Sequence, residues 1–398
     1  MSSILCKANR SRDSWLGIAV LTLLWTGCAH HDNDPMKTAR DDRSGGSGQS
    51  RSVLAAMKAG RVDMFGEVSE GLVGDYFARS AVSLRQHTFI EEGGDYDPDL
   101  SPDGKRMVFS STRHNLNPDL YVKNVDGVAV TQLTSDASSD VQPAFDPSGR
   151  LVAFASDRGG SWDIWVVSVD GSRPIQVTNG PGDELHPSWS NDGQRLVFCS
   201  LPTGGGQWEL WIADAMAGGS QTFIGYGLFP DWSPRDDTIL YQRARVRGTR
   251  WFSLWTLELI DGEPSYPTEV ASSSAHAMIL PTWSSDGEWI AYTAVAPDPA
   301  GVIERPQVGE VSDIWMMRAD GRSRTRLTDG FAGNYGATFD NLRRIYFTSG
   351  RAGHENVWSL VPSKAVPYIP ESGRITGTPD RRNMASTVIE PTTGQEGE

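Results

Sequence analysis

Three carboxylates stand at the same distance ahead of a proline in three successive stretches of the chain: Asp95 before Pro98, Asp140 before Pro143 and Glu184 before Pro187. Carboxylates gathered at one place can hold a cation or draw in a basic peptide segment, because their fields add. His186 follows Glu184 by two positions. An acid and an imidazole converging in one concavity could also move a proton during hydrolysis or elimination. The matching places further along hold Gly227, Met278 and Asn334, with Phe229 and Leu280 beside them. The candidate site therefore has a polar side, Asp95, Asp140, Glu184 and His186, and an apolar side, Phe229, Met278 and Leu280. Such a rim suits a peptide bearing both a basic and an apolar residue, or a cation such as calcium. The plainer reading of the acids is a set of solvated loop residues.

Other chemistry is poorly represented. No G-x-S-x-G elbow occurs, and no H-E-x-x-H, P-loop or G-x-G-x-x-G. No catalytic residue, no metal ligand set and no cofactor is expected on these grounds. The pair His30-His31 sits in a polar stretch and makes a weak metal site at most. Of the three cysteines, Cys6 lies in the leader and Cys199 in an apolar strand, where a lone thiol behaves as a small hydrophobe. The net charge of −14 argues against a nucleic-acid partner.

The start of the chain has the layout of an export signal: Lys7, Arg10 and Arg12, then the apolar run Trp15–Trp25, then Thr26-Gly27-Cys28. The ending "LLWTGC" resembles a bacterial lipobox, in which the cysteine after Gly is acylated. Residues 1–27 are thus expected to be a lipoprotein-type signal, with Cys28 carrying the lipid that tethers the chain to the outer membrane. Residues 28–52 are almost free of apolar side chains and read as a disordered tether, and 362–398 as a disordered tail. Residues 53–83 form a short extension expected to pack on the domain C-terminal to it.

What must position the candidate site is a repeat. Turns after an apolar strand fall at Asp103-Gly104, Ser148-Gly149, Asp192-Gly193, Asp236-Asp237, Asp286-Gly287 and Asn341-Leu342. The first three steps are nearly equal, and loop insertions lengthen the last two. Around each turn the grammar recurs. A Pro precedes an apolar residue by two, as in Pro187 and Trp189, and a buried strand such as Leu151-Val152-Ala153-Phe154 follows. Next comes an acid with an aromatic, as in Asp163-Ile164-Trp165, and then an edge strand ending in Leu-Thr or Val-Thr. Four antiparallel strands at this period are a propeller blade, and six such units make an all-β, six-bladed ring over 84–361. Eight of the fourteen Trp occupy repeat positions and are expected to wedge between blades. The Ser-x-Arg element of Ser111/Arg113, Ser156/Arg158 and Ser349/Arg351 is expected to pair with the acid that opens the third strand. The sixth unit lacks an edge strand, whereas Arg85-Gln86-His87-Thr88-Phe89 is an edge strand without a blade, so the two should join and close the ring.

Units such as "HPSWSNDGQRLVFCS" and "QPAFDPSGRLVAFASDRGGSWDIWVVSVDG" resemble the propeller repeats of the TolB family. That resemblance implies a six-bladed propeller of the cell envelope that binds another protein and acts as a single ring. TolB itself carries an α/β domain before its propeller. Here the stretch between Cys28 and the first strand is too short to hold a domain of that size. The competing implication is an envelope hydrolase or lyase acting on glycan or peptide through an acid/His cluster at the channel mouth.

Overall fold

The computed structural model describes residues 81–244, 252–295, 312–328 and 333–362. The stretches expected to be export signal, tether and tail, together with Cys28 and most of residues 53–83, lie outside the described residues. Six four-stranded antiparallel sheets make up the fold. Their innermost strands are Asp95–Leu100, Asp140–Phe145, Asp183–Trp189, Leu228–Trp232, Ala277–Trp283 and Asn334–Phe339. In the first five blades the strands run outward in chain order. The innermost strands of the first and last blades touch, so the ring is closed.

The second strand of every blade is an uninterrupted apolar run, because its two faces are covered by neighbouring blades. Met107, Val108 and Phe109, Val152 and Phe154, and Leu196, Val197 and Phe198 are fully buried there. The Ser-x-Asp-Gly turn leading into that strand is a local hydrogen-bond device. Ser101 Oγ donates to Asp103, the carboxylate accepts from Lys105 N, and Ser101 Oγ accepts from Arg106 N. The same three bonds recur at Ser190–Asp192 and Ser284–Asp286. Gly104, Gly193 and Gly287 each take φ between 63° and 69°, a conformation open to glycine at little cost.

The sixth sheet is completed from the other end of the chain, by Ala81–Gln86 pairing antiparallel with Asn356–Pro362. The closing strand lies a few positions earlier than the sequence suggested. In the first, second and fifth blades the ladder also ends before the Leu-Thr or Val-Thr pair, whose Thr turns in to cap the third strand: Leu120 N donates to Thr134 Oγ1, Ile164 N to Thr178 and Ile314 N to Thr328. Thr88 plays that part for Val357 N. The Trp wedges divide into two sets. Trp189 and Trp232 on innermost strands are buried, whereas Trp283 on an innermost strand and Trp165, Trp211, Trp255, Trp315 and Trp358 on third strands are half-buried.

Each innermost strand breaks register near its middle, between Tyr96 and Asp99, Val141 and Ala144, Leu185 and Ser188, Leu228 and Asp231, Ile279 and Thr282, and Tyr335 and Thr338. At each break one residue is left-handed: Asp97 (φ 48°), Gln142 (56°), His186 (56°), Phe229 (51°), Leu280 (50°) and Gly336 (62°). In five of the six the next residue is a proline, which has no N–H to give to a ladder and so belongs at a bulge.

Candidate functional site

The six bulge residues form a ring around the propeller axis. The backbone N–H of Gln142 donates to the Asp97 carboxylate. Gln142 Oε1 accepts from His186 N at 3.0 Å, and Gln142 Nε2 lies 3.0 Å from His186 Nε2. An amide nitrogen only donates, so Nε2 of His186 accepts and its proton sits on Nδ1. The His186 and Phe229 rings are 3.8 Å apart between centroids. Leu280 N donates to Gln242 Oε1. A Cβ placed on Gly336 would lie 4.0 Å from Asp97 Oδ1. Blades one to three thus contribute polar groups to the ring, and blades four and five contribute apolar ones. A left-handed non-glycine residue costs about 1–2 kcal/mol, and five of the six positions carry one. Phe229 is buried in the core cluster of the second to fourth blades, and Leu280 packs against that cluster while partly exposed.

A second tier lies two positions further along. Asp99 accepts from Phe145 N at 2.7 Å and from Thr338 Oγ1 at 3.2 Å, stapling the first blade to the second and sixth. Asp231 accepts from Ser188 Oγ, Thr282 Oγ1 and Trp283 N, stapling blades three, four and five. Burial pushes the carboxyls of Asp97 and Asp99 up to about 6. The charge of Glu355 adds to the first shift and that of Asp231 to the second. Burial alone drives His186 down to about 3, so its imidazole stays neutral at physiological pH. Among the described residues, no three or more His, Cys, Asp or Glu are grouped to hold a metal ion.

The three acids do not form the negative half-rim expected from their spacing. Asp95 and Asp140 are fully buried and carry ion pairs. Arg113 Nη2 donates to both oxygens of Asp95 at 2.8 and 2.9 Å, and Arg158 Nη2 to both oxygens of Asp140 at 2.7 Å. These are the arginines of Ser-x-Arg. They reach back to the innermost strand rather than to the acids of the third strand, where Gln132 and Gln176 bond Asp119 and Asp163 instead. In the sixth blade Asn334 takes the acid's place and Arg351 bonds it at 2.8 Å. Met278 is buried in the core beside Ile290 and Tyr292. His186, Phe229 and Leu280 are brought together on the axial ring. Their partners there, Asp97 and Gln142, were not anticipated, although the proline after each bulge was a visible marker.

Glu184 is the exception among the acids. It is 3% exposed, and its carboxylate turns away from His186 to bond Thr178 and the backbone of Gly180. Among the described residues Oε2 has no hydrogen-bond partner. Burial, with the nearby charges of Asp163 and Asp183, pushes its pKa up to about 7. The sequence carried the explanation. The step from acid to arginine is the same in Asp95–Arg113 and Asp140–Arg158, and an equal step from Glu184 lands on Pro202. A carboxyl whose folded pKa is raised stabilises the fold least once it ionises. Glu184→Gln should therefore melt higher than wild type at pH 8. The gain should shrink as pH falls through 7 and vanish below about pH 4.5, the ordinary Glu value. A melting series from pH 4 to 8 reads this out, and a gain independent of pH would contradict it.

Residues 80–258 match the family described as the TolB beta propeller domain. Among solved structures, the putative TolB of Agrobacterium tumefaciens is similar at 22% identity and a TM-score of 0.52, over 67% of this chain and 90% of that one. A gluconolactonase of Xanthomonas campestris is similar at 12% identity and a TM-score of 0.52, over 72% and 91%. The hydrazine synthase of Kuenenia stuttgartiensis is similar at 15% and 0.51, over 64% of this chain and 42% of that one. At such identities the likeness carries the fold and leaves the activity open, since the same ring serves proteins of different kinds. Repeat and closure agree: the chain is a six-bladed β-propeller, and its residues 80–258 match the TolB beta propeller domain.

Proposed function

We propose that this protein is a non-catalytic, protein-binding scaffold of the bacterial cell envelope, and that it receives a segment of its partner on the axial ring. The observation that carries the reading is the ring's division. Asp97, Gln142 and His186 offer polar contacts on one side, and Phe229 and Leu280 offer apolar contacts on the other. A peptide with both a polar and an apolar anchor matches it, and the rigid bulges leave little ordering cost at the receptor. TolB-type propellers bind proteins, which agrees with this assignment. The hydrolase or lyase alternative requires Glu184 and His186 to converge on one substrate, and their side chains turn apart. The chain closes the ring with its own strand and needs no second copy to complete a blade, so a monomeric propeller is proposed. The export signal and Cys28 assign it to the envelope as a lipoprotein. That part rests on sequence alone.

Photo-crosslinking in intact cells tests both parts. A photoreactive side chain at Leu280 should trap one discrete envelope protein, and the same group at the outward-facing Val128 should not. Cys28→Ser should move the protein to the soluble fraction. Identical patterns from the two positions, or unchanged membrane association of Cys28→Ser, would refute the corresponding part.

A further inference from the structure

Three blades hold a guanidinium group in the same four-part seat. In the first, Arg113 Nε donates to Ser111 Oγ at 3.0 Å, its Nη2 grips Asp95, and its head lies over the rings of Phe109 and Tyr121 at 5.3 and 4.9 Å. In the second, Arg158 uses Ser156, Asp140, Phe154 and Trp165. In the sixth, Arg351 uses Ser349, Asn334, Phe347 and Trp358.

The third blade has all four parts in the same register. Glu184 faces Ser200 across the ladder, and Phe198 faces Trp211. The arginine position is Pro202. Among the described residues no ion pair reaches Glu184, and its Oε2 is buried with no partner. The ring contact recorded for Trp211 is Phe223, edge-on, from the outermost strand of its own blade. Phe223 stands where Gln132 and Gln176 stand in the first two blades, so it does not replace the arginine. The sister seats open to the surface, with the Arg113 and Arg158 side chains 19% and 15% exposed. The chain that follows Pro202 is Thr203-Gly204-Gly205-Gly206, all exposed, and a Cβ on Gly204 or Gly206 would meet nothing within 4 Å.

We propose that this seat in the third blade receives an arginine side chain from a protein partner, its guanidinium taking the place that Arg113, Arg158 and Arg351 take in their own blades. Lysine is a poor substitute, because a compact, strongly hydrated ammonium can neither bond the serine hydroxyl and the carboxylate through two separate nitrogens nor stack flat on two rings. The near-neutral pKa of Glu184 agrees, since a guanidinium docked on the carboxylate would restore the ionised state. The inference rests on the protein-binding reading and adds the chemistry of one contact. Small amide probes report on the seat alone, so their failure to bind leaves the axial ring untouched.

N-acetylarginine amide, and the matching lysine and citrulline amides, would be titrated into the full chain at pH 7 and followed by NMR. Wild type should bind the arginine probe about tenfold more tightly than either analogue. Glu184→Gln should lose that preference. The double variant Glu184→Asp/Pro202→Arg rebuilds the grammar of the first blade and fills the seat from within. It should lose arginine binding while melting no lower than wild type, which separates occlusion from misfolding. Equal binding of the arginine and lysine probes, no binding to wild type, or arginine binding that survives in the double variant would each overturn the proposal.

Discussion

A chain that begins after residue 90 should fail to form a stable ring, and should not simply lose one strand. Ala81–Gln86 is the outermost strand of the sixth blade, in register from Leu84 opposite Leu360 to Gln86 opposite Trp358. The residues after it lock the closure. His87 N donates to Val357 O, Thr88 Oγ1 accepts from Val357 N, and both Thr88 Oγ1 and Ile90 N donate to Asn356 Oδ1. The His87 ring spans two blades, with Nδ1 on Val125 O and Nε2 on Ser359 Oγ. The Lys123 ammonium, 5% exposed, donates to His87 O. Truncation would leave Asn356 and Lys123 buried without those partners and would open an unpaired sheet edge. Each buried polar group left unmatched costs about 1–3 kcal/mol, more for a charge. The sum approaches the whole stability of a typical domain, about 5–15 kcal/mol. Circular dichroism should show loss of the cooperative thermal transition, or a midpoint lower by more than about 10 °C. A truncated chain that melts cooperatively at the wild-type temperature would contradict this closure.

The next largest effect is expected at Arg158. Arg158→Ala leaves Asp140, fully buried, without the guanidinium that bonds both its oxygens. Removing one member of a buried pair typically costs about 3–5 kcal/mol. The remaining groups around Asp140, Ser156 and Thr134, soften the loss without replacing the charge. The sixth blade indicates the rescue, because it uses Asn334 at this position. Asp140→Asn alone should therefore cost little, and Asp140→Asn combined with Arg158→Ala should recover more than half of the single-variant loss. Denaturant unfolding of the four proteins gives the coupling directly. Additive losses would mean that the pair contributes nothing specific.

The closing strand, Arg158 and Glu184 together show where the sequence was a good guide. Blade number, the Ser-x-Asp-Gly turns and the closure could be read because each is a local device repeated at a fixed period, and closure followed from one edge strand missing and one left over. The axial ring could not be read in the same way. A bulge changes which residues share a face, so counting back three positions from the proline found Asp95 and Asp140, which turn into the blade. The residue immediately before the proline, Asp97 or Gln142, faces the axis instead. The left-handed conformation at these places has no residue preference to announce it, since Asp, Gln, His, Phe and Leu all adopt it here. The arginine partners were visible as a repeated spacing, but the choice between first-strand and third-strand acids depends on how the strands twist past one another. Glu184 and Pro202 stand out only after that pairing is known.

If the axial ring receives a protein segment through paired polar and apolar contacts, truncating its apolar side must weaken the complex. The most direct test is the affinity of the crosslinked partner for three forms of the purified propeller, measured by calorimetry. These are wild type, Phe229→Ala combined with Leu280→Ala, and the outer-surface control Val128→Ser. The ring variant should bind at least about tenfold more weakly, the loss of roughly 1.4 kcal/mol that two truncated apolar anchors readily account for, and the control should bind as wild type does. Unchanged affinity in a ring variant whose fold is intact would contradict the account.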